Sequence, residues 1–263
     1  MVDIINSQKI IELLDNGLKN KIKIEVLERV SSTNTLAKER ASECGEGLVI
    51  IAGEQTAGRG RMGRSFFSPG DSGVYISVVL KPEIKPEDAV QITTASAVAV
   101  CKALEKMGVY ESKIKWVNDI YIDSKKVCGI LTESSFNSQC GNLDFTILGV
   151  GVNIYEAPQG FPDEIKNIAG AVFTERKENL RNKFIAEFLN AFFALYEGIH
   201  LKKHLEEYKK RSFVLGREVT IIQGEKTRKG KAIDIDENCE LVVELPDGKK
   251  EKLYSGEISI RFL

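Results

Sequence analysis

Several features are scarce in this chain, and each scarcity excludes a class of function. No apolar run is long enough to span a bilayer, which takes about 20 consecutive apolar residues in a helix. The opening stretch MVDIINSQKI lacks the charged-then-apolar pattern of a secretory signal. Histidine occurs only twice, at His200 and His204. Four apart on a helix, the two would share a face. No glutamate follows His200, so this is not a metalloprotease helix, and the expectation is a solvated helical pair. The five cysteines (Cys44, Cys101, Cys128, Cys140, Cys239) are scattered, and none has the two-residue spacing of a zinc knuckle or redox motif. Reduced thiols in a cytoplasmic protein are expected, with no Cys/His metal site. Net charge is also missing: Lys+Arg number 37 and Asp+Glu 38. That balance argues against a protein that coats nucleic acid. There is no internal repeat and no low-complexity tract.

The 263 residues, 43% of them hydrophobic, suffice for one large domain or a large and a small one. Residues 4–20 read as a short helix and IKIEVLERV as a half-buried strand. SSTNTLAKERA begins with residues typical of a helix N-cap. GLVIIAGEQ and GVYISVVL are apolar strand-like runs. Residues 87–108 repeat apolar positions at helical spacing and stop at Gly108. KIKWVNDIYI, KKVCGILTESSF and LDFTILGVGVNI read as three strands, with a turn at Asp123-Ser124-Lys125. Residues 156–176, rich in Pro and Gly, read as a long loop, and 177–211 as helical. After Phe213 come five short strands, the texture of a small barrel. A domain boundary is expected near Ser212, giving residues 1–212 and 213–263.

The most unusual stretch is EQTAGRGRMGRSFFSPG, Glu54 to Gly70, in which Gly58, Gly60 and Gly63 alternate with Arg59, Arg61 and Arg64. It formally matches the dinucleotide fingerprint. That fingerprint needs a helix to open on the loop, and Pro69, Gly70 and Gly73 forbid one. A Walker A loop would need Gly-Lys-Ser/Thr, which is absent. A loop gripping a small, strongly anionic ligand fits better, because guanidiniums and unshielded backbone N–H groups both bind oxyanions. The alternative is a solvated surface loop. A second cluster, KWVNDIYIDSKKVCGILTE, holds Lys115, Trp116, Asn118, Asp119 and Lys126. If residues 115–122 are a strand and Lys126 opens its partner, Asp119 and Lys126 can meet across the pair. Such a pair suits a magnesium-nucleotide site, with Asp119 holding Mg²⁺ or taking a proton and Lys126 neutralising developing charge. It equally suits an ordinary hairpin with a surface ion pair.

The sequence resembles the biotin–protein ligases. The stretches that carry the likeness are SSTN (31–34), GRGRMGRSFFSP (58–69), KWVNDI (115–120), KVCGILTE (126–133), GVGVN (149–153) and GEISIR (256–261). They stand in the family's order from about residue 22 to the end. The resemblance implies an α/β catalytic domain on a mixed sheet, of the class II aminoacyl-tRNA synthetase and biotin ligase type, followed by an SH3-like β-barrel. It implies that biotin and ATP are joined to biotinyl-5′-AMP and that biotin passes to a lysine of a biotin carboxyl carrier domain. Ser32, Thr33, Asn34, Gln55, Arg59, Gly60, Arg61, Lys126 and Gly129 would then hold biotin. Arg59, Arg61, Arg64, Phe66, Lys115, Asn118, Asn153 and Arg261 would hold the nucleotide. Lys126, Arg61 and Asp119 would carry the chemistry.

Three positions depart from the family's pattern: Phe66 replaces a common Trp, Val117 a common Pro, and Met62 an often basic residue. About thirty residues precede SSTN, too few for a winged helix, so no DNA binding is expected. No membrane partner is expected, and a homodimer stays open. Two competing functions remain: a lipoate or octanoate ligase of the same architecture, and a non-catalytic regulator that retains the adenylate.

Overall fold

The computed structural model describes residues 3–136, 143–223, 226–254 and 257–259. Its helices are α1 (Ser7–Leu13), α2 (Asn16–Lys19), α3 (Thr33–Arg40), α4 (Val90–Lys106), α5 (Leu180–Tyr196) and α6 (Leu205–Arg211). Seven strands form the main sheet: β1 (Lys23–Val30), β2 (Leu48–Gln55), β3 (Gly73–Leu80), β4 (Lys113–Lys115), β5 (Asp119–Ile122), β6 (Lys125–Phe136) and β7 (Leu143–Asn153). Their order is β1-β2-β3-β7-β6-β5-β4. β1 and β2 are parallel, which requires a crossover, and α3 lies in it. The remaining neighbours are antiparallel.

Strand alternation gives this sheet two different faces. Val74, Ile76, Val78 and Leu80 of β3 join the main core with Phe184, Phe188 and Phe192 of α5. Val79 packs instead with Ile50 and Ile147 on Ala37 and Ala41, the α3 side. Tyr75 and Ser77 share the parity of Val79 and so face α3. The C-terminal residues form a second, antiparallel sheet: β8 (Glu218–Gln223), β9 (Lys226–Ile235), β10 (Leu241–Glu244), β11 (Lys250–Leu253) and β12 (Glu257–Ser259). Its order is β11-β10-β9-β8-β12. The expected α/β fold with a small all-β tail is therefore present. No helix among the described residues is long and apolar enough to cross a membrane. Cys44, Cys101, Cys128 and Cys239 are free thiols; Cys140 lies outside the described residues.

Four local expectations change. Residues 4–20 form two helices, because Leu14 turns extended to bury itself and the Asp15 amide donates to Asn190 Oδ1 at 2.9 Å. Residues 177–211 break into α5, a 3₁₀ turn at Ile199–Leu201, and α6, with Lys202 in the left-handed region beside the break. KIKWVNDIYI is two strands, not one: Lys115 opposes Asp119, so residues 116–118 form a turn. The histidines are not a solvated pair on one helix. His200 sits in the 3₁₀ turn, whereas His204 caps α6 and is only 2% exposed. His204 Nε2 lies 2.9 Å from Thr94 Oγ1 of α4.

Burial lowers the His204 pKa to about 4, with nearby Lys202 adding to the effect. The unfolded chain, with an ordinary histidine, therefore binds a proton that the folded chain refuses. Stability is full above about pH 6.5 and falls as pH drops toward 4. Between pH 7.5 and 5 the loss should be about 2 kcal/mol. Urea unfolding at the two pH values checks this, and a His204→Gln variant should flatten the dependence. An equally steep dependence in that variant would clear His204 of the effect.

Candidate active site

The site begins with missing side chains. Gly129 of β6 and Gly151 of β7 oppose each other, and Gly151 in turn opposes Tyr75 of β3. One step along, Gly149 pairs with Leu131 and with Ser77. Three glycines thus open a depression in the α3-facing side of the sheet. Other groups enter the space a Cβ would take: at Gly151 it would meet the Phe66 ring at 2.6 Å, and at Gly149 it would meet Asn34 Oδ1 at 2.2 Å. The resulting pocket encloses roughly 970 Å³, counting its opening to solvent.

The N-terminus of α3 forms one wall. Ser32 caps the helix by accepting from the Thr35 amide. Gln55 Oε1 accepts from the Thr33 amide at 2.8 Å and from Thr33 Oγ1 at 3.0 Å. Gln55 Nε2 donates to Ser68 Oγ at 3.0 Å. Ser77 Oγ lies 2.8 Å from Thr33 Oγ1 and donates to Asn34 Oδ1 at 2.6 Å. Asn34 Nδ2 donates to Glu133 Oε2 at 2.9 Å. Glu133 Oε1 pairs with Arg59 at 3.0 Å. A continuous polar chain therefore runs from β2 through α3 to the arginine loop.

That loop is a tight hairpin rather than a helix start. Arg59 bridges Ser65, the Gly60 amide donates to Arg64 O at 2.7 Å, and the Phe66 amide donates to Gly58 O at 2.9 Å. The dinucleotide fingerprint fails here, as its flanking residues predict. Met62 at φ 55° and Gly63 at φ 75° make the tip. Arg59, Gly60, Arg61, Arg64 and Phe66 all line the pocket.

The opposite wall is the 116–118 turn and the start of β6. Arg61 Nη1 donates to Asn118 Oδ1 at 3.1 Å, and Asn118 Nδ2 donates to Ile130 O at 2.8 Å. Lys126 Nζ sits 2.7 Å from Asp119 Oδ1, with side-chain exposures of 29% and 19%. The cross-strand pair expected from the sequence is present and half-buried at the pocket. Lys125 goes elsewhere: its Nζ donates to the carbonyls of Lys166 and Asn167. Asp119 would share its carboxylate between Lys126 and any metal ion it held. Among the described residues no three His, Cys, Asp or Glu side chains gather into a metal site built from protein ligands alone. Magnesium is commonly held by only one or two carboxylates, with substrate phosphates and water completing its shell.

Ser32, Thr33, Asn34, Gln55, Lys115, Asn118, Asp119, Lys126 and Gly129 thus stand around one pocket with the arginine loop. Asn153 does not line it; its Nδ2 donates to Gly170 O at 3.0 Å, just behind the β6 entrance. Arg261 lies outside the described residues. Sequence reasoning missed Tyr75, Ser77 and Glu133. The two-residue spacing of Gly149 and Gly151, placing both on one strand face, was the available signal for the depression.

Comparison with known proteins gives one answer along most of the chain. Residues 26–153 match the model of the biotin/lipoate A/B protein ligase family, and residues 214–261 that of the biotin protein ligase C-terminal domain. The bifunctional ligase/repressor BirA of Bacillus subtilis (strain 168) is 35% identical over 258 residues, covering 93% of this chain and 77% of that protein. A biotin–[acetyl-CoA-carboxylase] ligase of Mycobacterium tuberculosis is 26% identical, covering 89% and 88% of the two chains. Among solved structures, the biotin protein ligase of Aquifex aeolicus in complex with biotin and ATP superposes with a TM-score of 0.74 at 26% identity, covering 91% of this chain and 98% of that one.

Proposed function

The chain belongs to the biotin protein ligase family, and from that premise we infer that it couples biotin to a protein lysine at the expense of ATP. A carboxylate oxygen of biotin attacks the α-phosphorus, the bond to the β-phosphate oxygen breaks, and pyrophosphate leaves. The acceptor amine then attacks the carbonyl carbon of biotinyl-5′-AMP. The carbonyl C–O bond breaks, AMP leaves with the electron pair, and the amine loses a proton. The acceptor class is the lysine of a biotin carboxyl carrier domain.

The observation that carries this reading is a pocket floored by Gly129, Gly149 and Gly151 with Arg59, Arg61 and Lys126 around it. The first step brings two anions together, and fixed cations remove their repulsion. We assign the depression and the Thr33–Asn34–Gln55 wall to biotin. Arg59 and Arg61 lie along the carboxylate and phosphates. Lys126 faces the reacting carbonyl oxygens, its charge held in place by Asp119. Lys115, Asn118, Arg64 and Phe66 border the nucleotide, and Asn153 and Arg261 are assigned to its far ends. Phe66 supplies an apolar cover where an indole would also donate a hydrogen bond. The chemistry is assigned to residues 1–212, with 213–263 as a supporting domain.

The test is ATP-dependent transfer of labelled biotin to a purified carrier domain, with lipoate run in parallel. Lipoate transfer in place of biotin transfer would favour the lipoate ligase alternative. Adenylate retained without acceptor labelling would favour a regulator.

A further property follows from the loop. Three like-charged guanidiniums and three glycines cost entropy to fix, and an anion offsets their repulsion. Backbone amides of residues 58–66 should gain hydrogen-exchange protection when biotin and ATP are added. Unchanged exchange would mean that the loop is set before the ligand arrives.

A further inference from the structure

The 116–118 turn is gripped from behind by two other parts of the chain. Tyr208 of α6, fully buried, donates its hydroxyl to Val117 O at 2.9 Å. Trp116 donates its indole N–H to Cys239 O at 2.9 Å, also in buried surroundings. Cys239 belongs to the C-terminal sheet, in the turn between β9 and β10. That turn is itself built to hold a shape. Asp236 Oδ1 accepts from the amides of Asn238 at 2.9 Å and Glu240 at 3.0 Å, and Cys239 adopts φ 62°. It is also clipped to α4: Gln91 Nε2 donates to Glu237 O at 3.3 Å, and Cys239 Sγ donates to Gln91 Oε1 at 3.3 Å.

Trp116, Asn118 and Asp119 all border the pocket, with Asn118 bonded to Arg61 and Asp119 paired with Lys126, while the Trp116 N–H is turned away to Cys239. A few covalent bonds therefore separate the Cys239 carbonyl contact from the groups that set Arg61 and Lys126. We propose that the 236–240 turn of the C-terminal sheet is a positioning element for the pocket. It acts through Trp116, a positioning residue, to fix where Asn118 holds Arg61. Neither Cys239 nor the Trp116 N–H is assigned to substrate. The proposal rests on the ligase reading, because it takes Arg61 to meet the nucleotide phosphates. An indole N–H with no such role would serve only to satisfy a buried carbonyl, and its loss would cost stability alone.

The chain has a single tryptophan, so one indole resonance reports this contact. Trp116→Phe removes the donor and keeps an aromatic ring. Asp236→Ala loosens the turn from its own side, 120 positions away in sequence. Val243→Ala, in the core of the C-terminal sheet, is the control for general destabilisation. Nucleotide affinity would be measured by calorimetry with biotin present, using an ATP analogue whose α,β-bridging oxygen is replaced by a methylene so that no adenylate forms. Trp116→Phe and Asp236→Ala should each weaken nucleotide binding about tenfold or more, the scale of a misplaced binding group. The double variant should weaken it no further, since both act on one route. Asp236→Ala should also speed indole N–H exchange, and Val243→Ala should lower the melting temperature without moving nucleotide affinity. Additive losses, or comparable weakening by Val243→Ala, would overturn the proposal. Nucleotide bound normally by Trp116→Phe would overturn it and leave the ligase reading standing. No nucleotide binding by the unaltered protein would overturn the ligase reading, and this proposal with it.

Discussion

Lys126→Ala should fold as the unaltered chain does and release pyrophosphate about a hundredfold more slowly or worse, the scale for removing one group that stabilises developing charge. The side chain lies 2.7 Å from Asp119 and within the ring of arginines that borders the glycine depression. Its removal takes a cation from the site and leaves a carboxylate unopposed where an anionic ligand must enter. Both changes act in the same direction. Stability should change far less, because the pair is only half-buried and exposed pairs contribute about 0–1 kcal/mol. Lys125→Ala is the matched control: it removes the same charge one residue away, but from a side chain bonded to the 166 and 167 carbonyls. Pyrophosphate release at saturating biotin and ATP separates the two. Equal, small losses would take Lys126 out of the chemistry and leave the arginine loop to carry it.

Gly149→Ala should weaken biotin binding about tenfold or more. A methyl group there would stand 2.2 Å from Asn34 Oδ1, so Asn34 must move. Asn34 is not free to do so cheaply: it accepts from Ser77 at 2.6 Å and donates to Glu133 at 2.9 Å, and Glu133 holds Arg59. Leaving one or two of these buried groups unpaired costs about 1–3 kcal/mol, and about 1.4 kcal/mol is a factor of ten in affinity. Gly45→Ala, where a Cβ meets nothing within 4 Å, is the control. Biotin titration calorimetry on both variants decides it, and parental affinity in Gly149→Ala would show that the depression is not where biotin rests.

The parts of this site that were legible in the sequence are those in which local chemistry speaks for itself. Three arginines among three glycines announce an anion loop, and Pro69 and Gly70 just after them rule out a dinucleotide helix. The Asp119–Lys126 pair could be read because one short hairpin joins the two residues. Glu133 and Ser77 were not legible: their neighbours Arg59 and Asn34 lie 74 and 43 positions away, brought close only by the register of the sheet. His204 failed for a similar reason. Its sequence surroundings are polar, and only the packing of α6 on α4 buries it. The turn at 116–118 hid inside an apolar run that alternation reads as one strand.

The glycine row also limits how this pocket can be reshaped for bulkier analogues of its ligand. A pocket is ordinarily widened by trimming the side chains beneath the ligand, but at positions 129, 149 and 151 there is nothing left to trim. Here the floor is backbone, held in the ladder by β3, β6 and β7, and cannot be lowered without cutting the sheet. The side chain that crowds this floor is Phe66, whose ring presses to within 2.6 Å of the point a Gly151 Cβ would occupy. Selection for larger acyl groups should therefore return changes at Phe66 and its loop, and leave the three glycines untouched.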